Sequence, residues 1–392
     1  MKPSHLILIL TLLLPLSGAG QPAPKTNVGL RLIDPKGELP EVLDSKQFSQ
    51  LVAAVDRGLV ALKKEQRPDG SFPTIDHGQP AVTALAVMAY ISRGHMPGEG
   101  PYGELLTRAI NYVLSQQKQT GIFSHMEIDP AKLSEIPSTA NGEFEEMAAQ
   151  TYSHAICMLM LGEIYGLTAE KESFRIRNAI ENGLKFSIKL WDIRPPSAQD
   201  DGGFRYTRPW EDGAEGDVSI TGWHTASLRS IRNAGFDVPQ AVMDRIAAYI
   251  TRNQNQDGGF SYIARRQSTF TMTAAGTLCL ALAGKHGSAE TLRAATYLSR
   301  FRVSDPRAFG DLSSRSWPYY GCYYQTQVSI QLGGQLWVTC MGEVSKYLLA
   351  KQSASGLWLP DGSDSLYGSC YSTSMAIIAL TPVLQILPIY QR

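Results

Sequence analysis

One short phrase recurs along the chain and constrains its fold more than any other feature. It consists of a Gln, a few mostly polar residues, one or two Gly and then an aromatic residue. Five copies occur, at residues 66–72, 117–123, 199–204, 256–260 and 352–358. The spacing of the last two copies predicts a degenerate copy near Phe309-Gly310, and the long step from the second to the third predicts an insertion at residues 124–141. Repetition at this period is typical of repeat architectures.

Two kinds of helix-forming segment alternate between the phrases, because their apolar residues recur at a helical and not at an alternating spacing. Segments before each Gln carry a charged face and therefore predict helices with one side in water. They span residues 46–65, 102–117, 169–190, 238–254, 288–301 and 336–351. Segments after each phrase carry few charges and predict helices covered on most sides. They span residues 80–93, 145–165, 217–233, 268–284, 319–332 and 366–380.

This alternation predicts an all-α fold in which six outer helices surround six inner helices as a closed α/α toroid. The Gly of each phrase allows a tight reversal after an outer helix. The Gln amide can bond to open backbone groups at a helix end. Calcium binding by the Asp-Gly loops is the competing interpretation, but no copy continues with the ligand spacing of a calcium loop.

The N-terminus has the pattern of a secretory signal peptide. Lys2 precedes an apolar run over residues 6–16, and small residues follow at 17–20. We expect a signal peptide at 1–19, a leader or linker at 20–45 and a single toroid domain at 46–392. The expected location is therefore outside the cytoplasm, in the periplasm or beyond the cell. No later run is long enough to predict a membrane span in the mature chain.

Composition limits the partners. The chain has 36 basic and 36 acidic residues, so it lacks the positive field expected of a nucleic-acid-binding protein. Its five cysteines are an odd number and lie far apart in sequence, at positions 157, 279, 322, 340 and 370. This predicts small buried apolar residues and no disulfide scaffold, with one disulfide left open.

The repeats resemble those of squalene–hopene cyclases and of the β-subunits of protein prenyltransferases, over about residues 46–382. Three segments further resemble secreted bacterial proteins of this repeat type whose function is not assigned: Asp217–Trp223, Tyr323–Gln327 and Leu366–Thr373. The resemblance implies a six-fold α/α barrel with an apolar central cavity. If the protein were an enzyme, the resemblance would imply terpene-cyclase-like chemistry, in the isomerase class.

The chemistry of those families needs residues that this chain lacks. The cyclases carry an Asp-x-Asp-Asp motif whose central acid protonates the substrate, and the matching stretch here keeps only Asp217, with Gly216 in the place of the proton donor. The prenyltransferases bind Zn²⁺ with an Asp-x-Cys pair and a later His, where this chain has Ser219 and Gly368. One carboxylate and one hydroxyl are too few zinc ligands. We therefore predict no metal site and no cofactor. The thioester motif of complement-like proteins with this fold is also absent.

In such a toroid the inner helices run in one direction, so their N-termini share one mouth. The residues expected there are Asp76, His77, Glu145, Glu146, Asp217, Tyr319, Tyr320 and Tyr367. The acids have two interpretations. Asp217 can be an N-cap and the Glu residues first-turn acids, or Glu146 and Asp217 can be a catalytic pair, as in carbohydrate-active α/α-barrel enzymes.

Aromatic and polar residues are expected deeper in the barrel. Together with Tyr320 and Tyr367 of the mouth, the predicted ligand-binding residues are Tyr152, His154, Trp223, His224, Tyr323, Tyr324, Gln327 and Tyr371. Aromatic walls suit an apolar guest, although the same rings can simply fill the barrel, and the two histidines can be ordinary core residues. Three hypotheses follow: a protein that binds an apolar or isoprenoid-like molecule or lipid, a carbohydrate-active enzyme, or a scaffold for a protein partner.

Overall fold

A computed structural model describes residues 31–129, 143–192, 197–206, 216–310 and 316–391; for residues 143–149 only the backbone is described. This part of the chain forms twelve α-helices and no β-strand beyond isolated bridges. The outer helices are α1 (Ser45–Glu65), α3 (Gly103–Ser115), α5 (Glu170–Asp192), α7 (Gln240–Arg252), α9 (Ala289–Leu298) and α11 (Gly334–Lys351). The inner helices are α2 (Ala81–Ser92), α4 (Glu143–Ile164), α6 (Val218–Asn233), α8 (Phe270–Leu282), α10 (Pro318–Leu332) and α12 (Gly368–Leu380).

The inner helices form a closed ring. Each packs against the next, from α2 through α4, α6, α8 and α10 to α12, and α12 packs back against α2. Each outer helix packs on the inner helix that is its neighbour in sequence, and α1 packs mainly on α12. The predicted α/α toroid, with six helices in each layer, is confirmed.

Burial explains why the two layers differ in composition. Every residue of α2 and of α8 is buried, so a charge anywhere on either helix would lose its hydration. Helix α7 buries one stripe, which includes Val242, Ile246 and Ile250, and leaves its charged face exposed. The low-charge segments of the sequence are therefore the helices enclosed on all sides, and the charged segments are the helices with one face in water.

The recurrent phrase joins neighbouring outer helices. In four copies the Gln amide donates to the carbonyl of its own turn Gly and to a carbonyl of the next outer helix: Gln66 to Gly70 and Leu105, Gln117 to Gly121 and Ala179, Gln254 to Gly258 and Glu290, and Gln352 to Gly356 and Ala54. The sequence pattern placed the Gln of the copy at residues 256–260 at Gln256. That prediction is wrong, because Gln254 makes these bonds and lies four residues before its turn Gly, as Gln66, Gln117 and Gln352 do.

The last phrase closes the outer layer. Gln352 donates to the Ala54 carbonyl at 2.8 Å and accepts a bond from Arg57 at 2.7 Å, so the end of α11 is tied to α1. Gly356 adopts a φ of 91°, a conformation that favours glycine. A Cβ there would lie 2.7 Å from the Arg57 carbonyl oxygen. The elbow therefore requires glycine for its backbone conformation and for its contact with α1.

The segments at both ends of the described chain pack on the toroid. Part of the expected leader, residues 31–44, is bonded to the corner between α10 and α11, where Asp34 donates to the Leu332 carbonyl and Trp337 donates to the Pro40 carbonyl. The C-terminal tail contacts α6 and α10, and the Ile389 amide donates to Glu163 at 3.0 Å. The expected signal peptide at 1–19, leader residues 20–30 and residues 130–141 of the expected insertion lie outside the described residues.

Two further findings concern the described part of the chain as a whole. All five cysteines are buried, as predicted, and none of them forms the disulfide that the sequence left open. None of the helices in this part of the chain combines the length and the apolar character needed to cross a membrane.

Candidate functional site

A cavity of about 510 Å³ lies inside the ring, near the N-terminal ends of the inner helices. Residues from five inner helices line it within their first two turns, and α4 contributes residues from its middle. The remaining lining residues come from the loops that lead into these helices. The lining residues are His77, Gly78, Ala81, Val82, Leu85, Tyr152, Ser153, Ile156, Arg205, Tyr206, Ser219, Trp223, Tyr262, Thr269, Thr271, Met272, Phe309, Gly310, Trp317, Tyr320, Leu366, Tyr367 and Tyr371.

Five of the predicted ligand-binding residues lie on this cavity: Tyr152, Trp223, Tyr320, Tyr367 and Tyr371. Four of these rings form two pairs on the wall. Trp223 and Tyr320 have ring centroids 6.4 Å apart, and Tyr367 lies 5.2 Å from Tyr371. Because these rings pack against one another, the wall presents aromatic faces and edges to whatever occupies the cavity.

The two predicted histidines lie in the wall and not on the cavity surface. His154 Nδ1 accepts the amide of Phe123 at 3.1 Å, and its Nε2 lies 2.9 Å from the Ser187 hydroxyl. In other repeats a Thr of the inner helix accepts the same amide of the phrase aromatic, as Thr83 does for Phe72. His154 therefore replaces this Thr and has the same structural role in its own repeat. His224 stacks on Phe204 at 4.0 Å, and burial holds its pKa well below the ordinary value.

The other predicted residues away from the cavity are Tyr323, Tyr324 and Gln327, which fill the wall of the barrel. Tyr323 stacks on the far side of Trp223 at 4.8 Å and supports that ring. Tyr324 donates to the Ser219 carbonyl at 3.3 Å. Gln327 is buried beside Tyr390 of the C-terminal tail. Consecutive residues of one helix point in different directions, so the Tyr-Tyr pair at 323 and 324 could not both face the axis.

Asp217 is the N-cap of α6. Its Oδ1 atom accepts bonds from the Ser219 amide, the Ser219 hydroxyl and the Ile220 amide at 2.6–3.3 Å. Its side chain is fully buried and does not line the cavity. Burial raises the pKa of Asp217 to about 6, against the opposing effect of these bonds and of Arg205. The backbone of Glu146 lies in α4, but its side chain, like that of Glu145, lies outside the described residues.

The place of the cyclases' proton donor is sterically closed. A Cβ on Gly216 would lie 2.7–2.8 Å from the ring and hydroxyl of Tyr249, whose side chain is fully buried. Real Cβ contacts are not this short, so an acidic side chain at position 216 would require Tyr249 to move. The absence of the acid is therefore built into the packing between this loop and α7.

The positions that correspond to zinc ligands carry other chemistry. Ser219 donates its hydroxyl to Asp217, and Gly368 begins α12 with a φ of 82° and has no side chain to coordinate a metal. Across the described ranges no three His, Cys, Asp or Glu side chains are grouped closely enough to hold a metal ion.

The structure also brings residues to the cavity that the sequence analysis did not name. Arg205, Tyr206, Tyr262 and Trp317 all line it. A sequence signal exists for two of them. Tyr206 and Tyr262 each lie two residues after the phrase aromatic, Phe204 or Phe260, where the chain leaves the elbow and approaches the start of the next inner helix. In these two repeats, the side chain two residues after the aromatic residue therefore lies at the mouth of the cavity.

Comparisons with known proteins agree with the toroid fold. A family model described as the prenyltransferase alpha-alpha toroid domain matches residues 81–354. A glycosidase variant aligns with a TM-score of 0.57 and 11% identity, over 86% of this chain and 98% of that one. A variant of the type II terpene cyclase MstE from Scytonema, in complex with geranylgeranyl dihydroxybenzoate, aligns with a TM-score of 0.54 and 12% identity, over 88% of this chain and 100% of that one. No curated protein sequence matches the chain. At these identities the structural neighbours show a shared fold.

Proposed function

The chain belongs to the prenyltransferase alpha-alpha toroid family, and from this premise we propose that it is an exported protein that binds an apolar, isoprenoid-like molecule in its central cavity. The observation that carries the proposal is the aromatic lining of the cavity. Ten of the lining residues named above are His, Phe, Tyr or Trp. A volume of about 510 Å³ falls in the range of small-molecule sites.

The charges around the cavity support binding of an apolar guest. None of the described lining residues is an Asp, a Glu or a Lys, and Arg205 is the one lining side chain among them that carries a permanent charge. The nearby carboxyl of Asp217 is engaged in capping α6. An apolar guest would therefore displace water from apolar surface without stripping the hydration from acidic groups, and burial of that surface would favour binding.

Binding without cyclisation fits the same geometry. The position of the proton donor is occupied by Gly216, and Tyr249 fills the space that an acid there would need. The terpene cyclase neighbour is described in complex with an isoprenoid-bearing substrate. We propose that this chain uses the same kind of interior to hold such a molecule, without the protonation that starts cyclisation.

Tryptophan fluorescence during titration with farnesol tests the proposal, because Trp223 and Trp317 face the cavity. We expect a saturable change that corresponds to one farnesol per chain. The blocking variant is Ala81→Phe, since Ala81 lies on the cavity wall and a benzyl group there would fill part of its volume. The matched control is Val60→Phe, which adds a ring at a position of α1 that is 49% exposed.

Wild type and Val60→Phe should bind with the same dissociation constant, and Ala81→Phe should bind at least tenfold more weakly. No saturable change in the wild type, or equal binding by Ala81→Phe, would contradict the proposal. Urea unfolding of both variants shows whether a weakened signal comes from the cavity or from loss of the fold.

The carbohydrate-active alternative has support from the shared fold with a glycosidase. A glycosidase needs two carboxyl groups facing its substrate. Asp217 is enclosed behind Ser219, and the side chain of Glu146 is not among those described. The described geometry therefore favours the apolar-ligand proposal. On the surface formed by the described residues we find no feature that specifically favours the scaffold hypothesis.

A further inference from the structure

The aromatic cavity has one polar corner, formed by Arg205, Ser219, Tyr152 and Tyr320. The Tyr152 hydroxyl lies 2.5 Å from the Ser219 hydroxyl. Tyr320 projects toward the same Ser219, and its buried hydroxyl lies near Ser219 and Tyr324 but makes no hydrogen bond of good geometry to either. Arg205 stacks over Tyr206, with its guanidinium carbon 4.6 Å from the ring centroid. Three hydroxyl groups and one positive charge therefore lie together in one corner of the aromatic cavity.

The guanidinium of Arg205 has donors to spare. Its side chain is 11% exposed, and its Nε and Nη1 atoms are buried with no hydrogen-bond acceptor. An arginine keeps its charge at every ordinary pH and offers five N–H donors. Leaving such donors buried and unpaired is costly, more so for a charged group. This arrangement is therefore that of a site whose acceptor is supplied from outside the chain.

Asp217 does not fill that need. Its Oδ2 atom lies 3.8 Å from Arg205 Nη1, beyond hydrogen-bond distance. Its Oδ1 atom is already held by two amides and the Ser219 hydroxyl. The carboxyl compensates part of the charge of Arg205 from behind the wall, and Arg205 itself lines the cavity with two buried N–H groups that lack an acceptor.

We propose that this corner binds the anionic head of the ligand, and that the ligand is an apolar molecule ending in a carboxylate. The inference rests on the proposed function, since the cavity holds the apolar part. A carboxylate offers two oxygens in a plane, which matches the fork of an arginine. The hydroxyl of Tyr320 supplies a further donor in the same corner.

The test compares farnesoic acid with farnesol, which share the apolar chain and differ in the head, by the same tryptophan titration at about pH 8. We expect the acid to bind wild type at least tenfold more tightly than the alcohol. Equal affinities would overturn the inference and leave the proposed function standing. Failure of both to bind would overturn both. Farnesyl phosphate is the third arm, and tighter binding of the phosphate than of the acid would overturn the carboxylate assignment.

Arg205→Gln identifies the residue responsible. In this variant farnesol and farnesoic acid should bind with dissociation constants that agree within about twofold, so their ratio is close to one. A ratio that stays at the wild-type value would overturn the role of Arg205. If the glutamine variant does not fold because Asp217 has lost its counter-charge, Arg205→Lys keeps the charge and removes the fork. The lysine variant should then show a ratio between one and the wild-type value, and an unchanged ratio would again refute the assignment.

Discussion

Closure of the toroid makes a quantitative prediction at Gly356. An alanine there meets two separate penalties. The first is the φ of 91°, which costs a residue with a Cβ about 1 kcal/mol. The second is the contact of that Cβ with the Arg57 carbonyl oxygen at 2.7 Å, which would push the elbow away from α1. Overpacking of this kind costs roughly 1–3 kcal/mol. Gly356→Ala should therefore lower the free energy of unfolding by about 2–4 kcal/mol.

Gly235→Ala is the matched control. Gly235 also has a φ of 91°, but a Cβ there would have no atom within 4 Å. It carries only the first penalty, so we expect a loss of about 1 kcal/mol. Urea unfolding followed by far-UV circular dichroism measures both variants. If the two alanines destabilise the protein equally, the contact between the last elbow and α1 does not hold the ring closed, and the reasoning fails.

Three further predictions concern buried groups. Burial raises the pKa of Glu163 from 4.5 to about 7. Between these two pH values the folded chain keeps a proton on Glu163 that the unfolded chain has lost. The free energy of unfolding therefore falls as the pH rises from 4.5 to about 7. Glu163→Gln should flatten that part of the profile of urea midpoints against pH; an unaltered slope would show that this carboxyl does not titrate with folding. Asp217→Asn and Asp217→Ala both remove the carboxylate beside Arg205, but Asn caps a helix about as well as Asp, so in urea unfolding the alanine variant should be less stable than the asparagine variant by about 1–2 kcal/mol; equal losses would rule out the cap as its main role. A thiol reagent should label none of the cysteines in the native protein and five after denaturation; a count of three would reveal a disulfide.

The fold was predictable because its strongest signals are local. Helix α8 carries no charge from Phe270 to Leu282, and the charged face of α7 alternates with apolar residues at helical spacing. Elbow glycines follow five of the six outer helices. Gln254 shows where this reading fails. Asn255 and Gln256 stand beside it, and the spacing of four residues that the other three copies share identifies Gln254 only once Gly258, and not Gly259, is known to form the turn.

The site was less predictable, because whether a helical side chain faces the cavity depends on how the helix is rotated about its own axis, and a pattern of buried residues does not fix that rotation when the helix is enclosed on all sides. Trp223 and His224 are adjacent in α6, yet the tryptophan lines the cavity and the histidine stacks on Phe204 behind it. Arg205 gave no signal at all, since its importance comes from its position in space between Asp217 and the aromatic wall. A pattern of residue types cannot supply that juxtaposition.

Native mass spectrometry of the protein purified from its own host is the most direct test of ligand binding in the cavity, because it shows what the cavity holds before any ligand is chosen. We expect one apolar molecule per chain in the wild type and in Val60→Phe, and its loss from Ala81→Phe. A folded wild-type chain that carries no such molecule, or an Ala81→Phe variant that keeps it in full, would show that the cavity is not the binding site.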